Sequence, residues 1–338
     1  MKVAVVGVTG VVGETILRVL DEREIEIAEL GAFASRDRVD PLRWRDRDWP
    51  IRAATPEALA SGGYDAVFFA SSDDASAELA QHAADAGAVV IDNSATFRLA
   101  DGVPLVVPEV NPHHARPSDR IFPVANCTAI VLCVGIAPIA RTAGLRSVRV
   151  ATYQAVSGAG KAGLEALAEE ERAEFTLEQS ATRSPFAAEI FRNVIPLVGS
   201  TLDENGDSGE EKKVAAETRK ILDLPNLHVA ATTVRVPVRY AHSEAVFIET
   251  ERDTSVAELA SAFETAPGVT FHPAGIVTPR DVEGQDLVHV ARLRAEGDSL
   301  RHFQVWIVGD QVRKGAATNA VQILELLLRN GRLVKTNA

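Results

Sequence analysis

The first twenty-two residues restrict the fold more than any other stretch. "KVAVVG" is a short apolar run, and glycines follow at 7, 10 and 13, before "ETILRVLDE", which reads as a helix. Strand, glycine-rich turn and helix in that order open a parallel sheet with crossover helices. Glycine at these positions lets the backbone pass close to a pyrophosphate. The helix start then supplies amide donors and the positive end of a dipole. Gly7, Gly10 and Gly13 are therefore expected to bind a dinucleotide; a tight structural turn is the alternative.

The alternation continues. "YDAVFFAS" reads as a buried strand, "ASAELAQHAADAG" as a helix closed by Gly87, and "AVVIDNS" as a further strand. "RLADGVPLVVPEVNPHHARPSD" is Pro-rich and reads as irregular surface chain, after which "RIFPVAN" resumes the sheet. The second strand should end near "LGAFASRDRVD". An NAD site usually places an acid there for the ribose hydroxyls. This chain offers Ser35, Arg36 and Arg38 around Asp37, groups that suit a 2′-phosphate and so favour NADP. An exposed charged loop would look the same.

"FPVANCTAIVLCVGIAPIA" begins as a strand and ends as a helix, with Cys127 at the joint. A helix N-terminus stabilises a thiolate, so Cys127 is expected to be a nucleophile. Cys133 lies inside the same apolar helix and reads as packing, a reading open to Cys127 as well. The chain holds only these two cysteines, too few for a disulfide framework, which fits a reducing cytoplasm. Its 338 residues suggest two domains. A net charge of −12 argues against a nucleic-acid binder. No apolar run reaches membrane-spanning length, no cleavable signal peptide is expected, and no metal-ligand spacing occurs.

After Cys127 the pattern changes. "LRSVRVATYQAVSG", "LHVAATTVRVPV", "SEAVFIETER", "QDLVHVARLRAEG" and "RHFQVWIVGD" read as a larger, partly antiparallel sheet. "KAGLEALAEEERAEF", "GEEKKVAAETRKIL" and "SVAELASAFET" read as helices between them. The fold class expected is α/β plus α+β. The first domain spans 1–127 and is completed by a C-terminal helix within 315–338 that stops at Gly331. The second, of mixed sheet, spans 128–314. "GSTLDENGDSGEE" is its most loop-like segment.

A nucleophile needs a proton shuttle. His242 follows "TTVRVPVRYA" at a turn between strands, with Arg235 at the end of the incoming one, so both could face one pocket. An exposed turn histidine is the alternative; His82, on a helix face, reads as exposed. Ser208 and Glu211 form a capping box at the start of the next functional candidate, a helix on which Glu210 and Lys213 share a face. A solvated ion pair is the plainer reading of the latter two.

Together these stretches resemble the aspartate-semialdehyde dehydrogenases almost end to end. The resemblance rests on "VAVVGVTGVVG", "VVIDNSATFR", "VPLVVPEVN", "ANCTAI", "VATYQAVSGAG", "FRNVIPLVG", "EEKKVAAETRKIL", "VRVPVRYAHSEAV" and "GDQVRKGAATNAVQILE". It implies a Rossmann-like NADP-binding domain and a catalytic, dimerising domain in a homodimer or tetramer. It implies NADPH-dependent reductive dephosphorylation of L-aspartyl 4-phosphate to the 4-semialdehyde, through a cysteine thioester, in cytoplasmic biosynthesis of lysine, threonine, methionine and isoleucine. Cys127 then matches the nucleophile, His242 the acid/base and Gln154 the substrate-orienting glutamine. Glu210, Arg235 and Asn126 match substrate-binding positions, and Arg98 and Lys213 the phosphate ligands. Thr9, Val11, Val12, Ser35, Arg36, Ser157, Gly158 and Asn319 join the glycines as cofactor-contact positions. "NSATFR", "NCTA" and "AHSE" stand where the family often has "NSSAFR", "NCTT" and "GHSE", and "ASRDRVD" lacks the usual second serine and glycine. A reductase of N-acetylglutamyl phosphate and a non-catalytic dinucleotide sensor are the competing readings.

Overall fold

The computed structural model describes residues 1–176, 184–199 and 202–333. The chain divides into two compact units, Met1–Ala125 with Ala316–Ala338, and Asn126–Gly315. Asn126 opens the second unit as the cap of the helix that Cys127 begins.

In the first unit the chain runs β1 (Lys2–Val6), α1 (Val11–Glu22), β2 (Glu29–Ala34), β3 (Leu42–Trp44), β4 (Arg47–Trp49), β5 (Ile51–Ala53), α2 (Pro56–Ser61), β6 (Ala66–Phe69), α3 (Asp73–Asp85), β7 (Val89–Asp92) and β8 (Ile121–Pro123). Six strands form one parallel sheet in the order β5-β2-β1-β6-β7-β8. β6 and β7 are buried at every position, which is why they read as continuous apolar runs rather than alternating ones. The strand order reverses between β1 and β6, and the glycine turn leaves β1 at that switch point, where open α/β sheets bind ligands. The C-terminal helix (Thr318–Arg329) belongs to this unit: Arg23 on α1 donates to both carboxylate oxygens of Glu325 at 3.1 Å.

Two features depart from the sequence expectations. "PLRWRDRDWPIRA" carries the β3–β4 hairpin and β5, neither of which was anticipated. The hairpin turns at Arg45 and Asp46, both with positive φ (49° and 57°), positions usually given to Asn and Gly. The second is 98–119, which is irregular but not all surface: Leu105, Val106 and Val107 are fully buried. Asn111 makes this possible. Its side chain accepts from the Val107 amide (2.8 Å) and donates to the Leu105 carbonyl (2.9 Å), satisfying backbone groups that no strand pairs.

The second unit comprises α4 (Cys127–Ala143), β9 (Ser147–Gln154), α5 (Gly160–Thr176), α6 (Gly209–Leu222), β10 (His228–Arg235), β11 (His242–Glu249), α7 (Val256–Glu264), β12 (Val269–His272), α8 (Pro279–Val282), β13 (Val288–Ala295) and β14 (His302–Gly309). The strands form a mixed sheet in the order β10-β9-β11-β14-β13-β12, parallel only at its two ends. Alternate residues of β9, β11 and β14 face inward: Val148, Val150, Thr152 and Gln154; His242, Glu244, Val246 and Ile248; Phe303, Val305 and Ile307. Helix α4 lies on this face, and Gly135 permits the contact, since a Cβ there would sit 2.5 Å from Ile307. On the opposite face Tyr153 and Phe247 are exposed, and Tyr153 meets Trp306 at 5.5 Å between ring centroids.

Candidate active site

Helix α4 starts at Cys127. The side-chain oxygen of Asn126 accepts from the amides of Thr128 (3.0 Å) and Ala129 (3.2 Å), capping the helix. The strand-to-helix joint anticipated in the sequence is therefore present, and it leaves Cys127 half-buried. A Cβ on Gly315 would lie 2.8 Å from the Cys127 Cβ, so only glycine fits beside this cysteine. Cys133 differs. It is fully buried beside Thr218, and burial pushes its thiol far up, out of the range of a working nucleophile.

His242 is not an exposed turn residue. It is the first residue of β11, is fully buried, and sets Nε2 3.6 Å from the Cys127 sulfur. The positive φ of Ala241 (66°) turns the chain into the strand at this point. The main-chain N–H of Ala155 donates to Nδ1 at 3.1 Å. Nδ1 is thus an acceptor, and the proton of the neutral ring sits on Nε2, facing sulfur. Burial, and secondarily the charge of Arg235, hold the imidazole well below its ordinary pKa. His242 is therefore a neutral N–H donor to Cys127.

Arg235 and His242 were expected on neighbouring strands. Instead β9 lies between β10 and β11, and Gln154 at its end is register partner to Arg235. Gln154 occupies the centre of the site. It accepts from Thr152 Oγ1 (3.0 Å) and donates to Glu210 Oε1 (3.2 Å). Because His242 Nε2 carries a proton, its 3.5 Å approach to the Gln154 amide nitrogen is a contact of two donors.

Arg235 is 6% exposed; Nη1 donates to the Ala155 carbonyl at 2.6 Å, while Nε has no protein acceptor. Burial lowers its pKa, opposed by the negative charges of Cys127 and Glu210. Glu210, also buried, takes Asn126 Nδ2 (2.9 Å) and Gln154 Nε2 on Oε1. The capping box that starts α6 is formed: Ser208 Oγ accepts from the Glu211 amide at 3.2 Å, and Glu211 accepts from the Ser208 amide at 2.7 Å. Glu210 thus belongs to a buried network rather than a solvated pair, whereas Lys213 is only half-buried.

Gly158 touches this site directly: a Cβ would fall 2.9 Å from Arg235 Nη1 and 3.5 Å from His242 Nε2. Ser157 is buried, donates to the Arg239 carbonyl and accepts from Gln311. Two participants were missed in the sequence, Glu217 and Gly315. Glu217 accepts from the Asn126 main-chain amide at 2.5 Å. Its spacing of seven from Glu210 was the available signal, since such residues share a helix face.

In the first unit the glycine turn has the shape a pyrophosphate requires. Gly7 has φ +86°, and a Cβ on it would collide with the Ala70 carbonyl at 2.3 Å; one on Gly13 would collide with the Gly7 carbonyl at the same distance. Gly10 caps α1 without a side chain, so no side chain covers the first-turn amides of Val11 and Val12 from that position. Thr9 lies in the turn itself. Beyond β2, Ser35, Arg36 and Arg38 are exposed, while the Asp37 carboxylate accepts the Ala53 amide at 2.7 Å. Asp37 is thereby held on β5. Asn319 is fully buried and donates to the Val106 carbonyl at 3.1 Å. Arg98 follows β7 and donates to the Asn93 carbonyl at 2.8 Å. Among the described residues no group of acidic, histidine and cysteine side chains could hold a metal, and no helix is long and apolar enough to cross a membrane.

Comparison with known proteins agrees with this geometry. Residues 2–118 match the family model of the semialdehyde dehydrogenase NAD binding domain, and 136–314 that of the semialdehyde dehydrogenase dimerisation domain. The chain is 39% identical to aspartate-semialdehyde dehydrogenase of Aquifex aeolicus, with 98% of each chain covered. It is 40% identical to aspartate-semialdehyde dehydrogenase 2 of Vibrio cholerae, covering 97% of this chain and 98% of that one. The crystal structure of the Vibrio cholerae aspartate semialdehyde dehydrogenase II superposes with a TM-score of 0.92 at 38% identity, over 97% and 98% of the two chains; a second structure of that enzyme is a complex with ASA. A half-buried thiol at a helix start facing a buried imidazole on a mixed sheet, a glycine turn at a switch point and end-to-end similarity converge: the chain belongs to the aspartate-semialdehyde dehydrogenase family.

Proposed function

We propose that the protein makes L-aspartate 4-semialdehyde from L-aspartyl 4-phosphate in the cytoplasm, with NADPH as reductant, in the biosynthesis of lysine, threonine, methionine and isoleucine. The observation that carries the reading is the Cys127–His242 pair, 3.6 Å apart, beside an arginine and a glutamate with unused hydrogen-bonding edges.

The thiolate of Cys127 attacks the acyl carbon. A C–S bond forms, the C–O bond to phosphate breaks, and phosphate leaves with the electron pair. Arg98 and Lys213 are the cations assigned to phosphate. The helix start and the His242 Nε2–H favour the thiolate before attack. The same N–H can donate to the oxyanion that forms at the acyl carbon, and to the sulfur when it leaves. Arg235 can clamp the α-carboxylate through its Nε edge, and Glu210 Oε2 can accept from the α-ammonium. Gln154 and Asn126 hold Glu210 in place for that task.

Gly7, Thr9, Gly10, Val11, Val12 and Gly13 are assigned to the dinucleotide pyrophosphate, Ser35 and Arg36 to the 2′-phosphate, and Ser157, Gly158 and Asn319 to the remaining cofactor contacts. Bound there, NADPH supplies the hydride that reduces the thioester. The tying of Asp37 to β5 supports NADP over NAD, since the acid that lies between Arg36 and Arg38 is turned to another use. The exposed sheet face carrying Tyr153, Phe247 and Trp306 is assigned to a homodimer contact, supported by the dimerisation-domain match.

The deciding assay runs in reverse. Aspartate semialdehyde should reduce NADP only when phosphate is present, and N-acetylglutamate semialdehyde should react far more slowly, because a neutral amide leaves Glu210 poorly paired. Equal specificity constants for the two aldehydes would overturn the substrate assignment.

A further inference from the structure

Helix α6 holds Asn126 at two points. Glu210 takes its side-chain nitrogen at 2.9 Å, and Glu217, two turns further along the same face, takes its main-chain N–H at 2.5 Å. Seven residues advance an α-helix by about 700°, within about 20° of two full turns, so both carboxylates reach the same neighbour. Asn126 in turn caps α4 through Oδ1, and the next residue is Cys127. The cap residue is therefore fixed at all four of its polar groups: Oδ1 and the main-chain carbonyl by α4, Nδ2 by Glu210 and N–H by Glu217. Substrate chemistry accounts for Glu210. It gives no reason for Glu217, which is 1% exposed. A carboxylate in so dry a place is costly unless its hydrogen bonds repay the desolvation.

We infer that Glu217 is a positioning residue for the nucleophile: its grip on the Asn126 amide sets the backbone from which Cys127 projects toward His242. The reason to expect an effect on rate is geometric. Sulfur and Nε2 stand at 3.6 Å, an N–H···S hydrogen-bond distance, and α4 carries the sulfur while β11 carries the imidazole. Only elements that fix α4 against the rest of the unit preserve that distance. A misplacement of about 1 Å can cost roughly 100-fold in rate.

Two conservative variants separate reach from charge. Glu217→Gln keeps an oxygen at the same reach, and Glu217→Asp keeps the charge but withdraws it by one methylene. The inference builds on Cys127 as nucleophile but not on the identity of the substrate, so the first readout is alkylation of Cys127 by iodoacetamide, which needs neither substrate nor cofactor. Glu217→Asp should slow alkylation and lower kcat by about 10- to 100-fold, with KM for the semialdehyde changed by less than about threefold. Glu217→Gln should retain most of both rates. Thermal unfolding of both variants checks that each is folded. Native alkylation and kcat in Glu217→Asp, or a Gln variant as impaired as the Asp one, would overturn the inference; so would a lowered melting temperature with both rates unmoved. Failure of the unmodified enzyme to oxidise aspartate semialdehyde would overturn the proposed function and leave the alkylation comparison standing.

Discussion

The amide of Ala155 donates to Nδ1 of His242 at 3.1 Å, and this one contact sets the proton inventory of the site. A ring that accepts at Nδ1 cannot take up a second proton without losing that bond. Burial and Arg235 push in the same direction. The resting pair is therefore a thiolate or thiol facing a neutral Nε2–H, and an imidazolium is disfavoured.

At pH 6.5, where an ordinary histidine is about half-charged, His242 should be neutral with its proton on Nε2. Nitrogen-15 NMR of the histidine side chains, assigned with a His242→Ala variant, reads this directly. Imidazolium shifts for His242 at that pH would refute the tautomer assignment. His242→Ala should lower kcat by about 100- to 10,000-fold. The sign for stability follows: the folded pKa is lowered, so the contribution is complete above about pH 6.5 and is lost as pH falls toward the folded value.

The two cysteines should behave as different chemical species. Iodoacetamide at neutral pH should label Cys127 and spare Cys133, as read by peptide mass spectrometry. Cys127→Ala should abolish turnover while dinucleotide binding persists. Cys133→Ala should keep the chemistry and lose about 1–2 kcal/mol of stability. Labelling of Cys133 in the folded enzyme would contradict its burial beside Thr218.

Glu244 carries a pH-dependent cost. It is fully buried on the inward face of β11, neither oxygen meets a protein partner, and desolvation holds its pKa well above the ordinary value. The folded state keeps this proton at pH values where the unfolded chain has released it. Stability should therefore fall as pH rises from about 4.5 toward the folded pKa, by at most about 1.4 kcal/mol per pH unit. Glu244→Gln should remove that slope. Urea unfolding at pH 5, 6, 7 and 8 compares the two chains; parallel curves would mean that Glu244 is ionised in the folded enzyme.

Arg36→Ala should weaken NADP about tenfold while leaving NAD nearly unchanged. A charge-assisted phosphate contact is worth more when buried, and the exposure of Arg36 discounts it. Titration of both dinucleotides by fluorescence or calorimetry tests this. Equal losses for NAD and NADP would move the 2′-phosphate assignment away from Arg36.

Local pattern made much of this molecule readable. The glycines at 7 and 13 announce their turn because a Cβ at either would strike backbone at 2.3 Å, and the turn sits between the strand and the helix expected from the sequence. Asn126 before Cys127 announces a helix start because a capping side chain must be adjacent to the amides it serves. The Ser208–Glu211 capping box is legible for the same reason. The β3–β4 hairpin was not, since Arg45 and Asp46 take a backbone conformation that their residue types do not advertise.

What tertiary structure alone decided is the assembly of the site. His242 lies 115 residues from Cys127, and Glu217 lies 91 from Asn126. Residue periodicity fixes which face of an element is apolar, but it carries no information on strand order. The placement of β9 between β10 and β11 puts Gln154 between the strand ends that carry Arg235 and His242, which the sequence reads as adjacent. Burial of His242 follows from the same order, because α4 covers the face on which that histidine stands. A turn histidine in the sequence becomes a neutral donor to sulfur only when the sheet behind it and the helix above it exclude water and lock its tautomer.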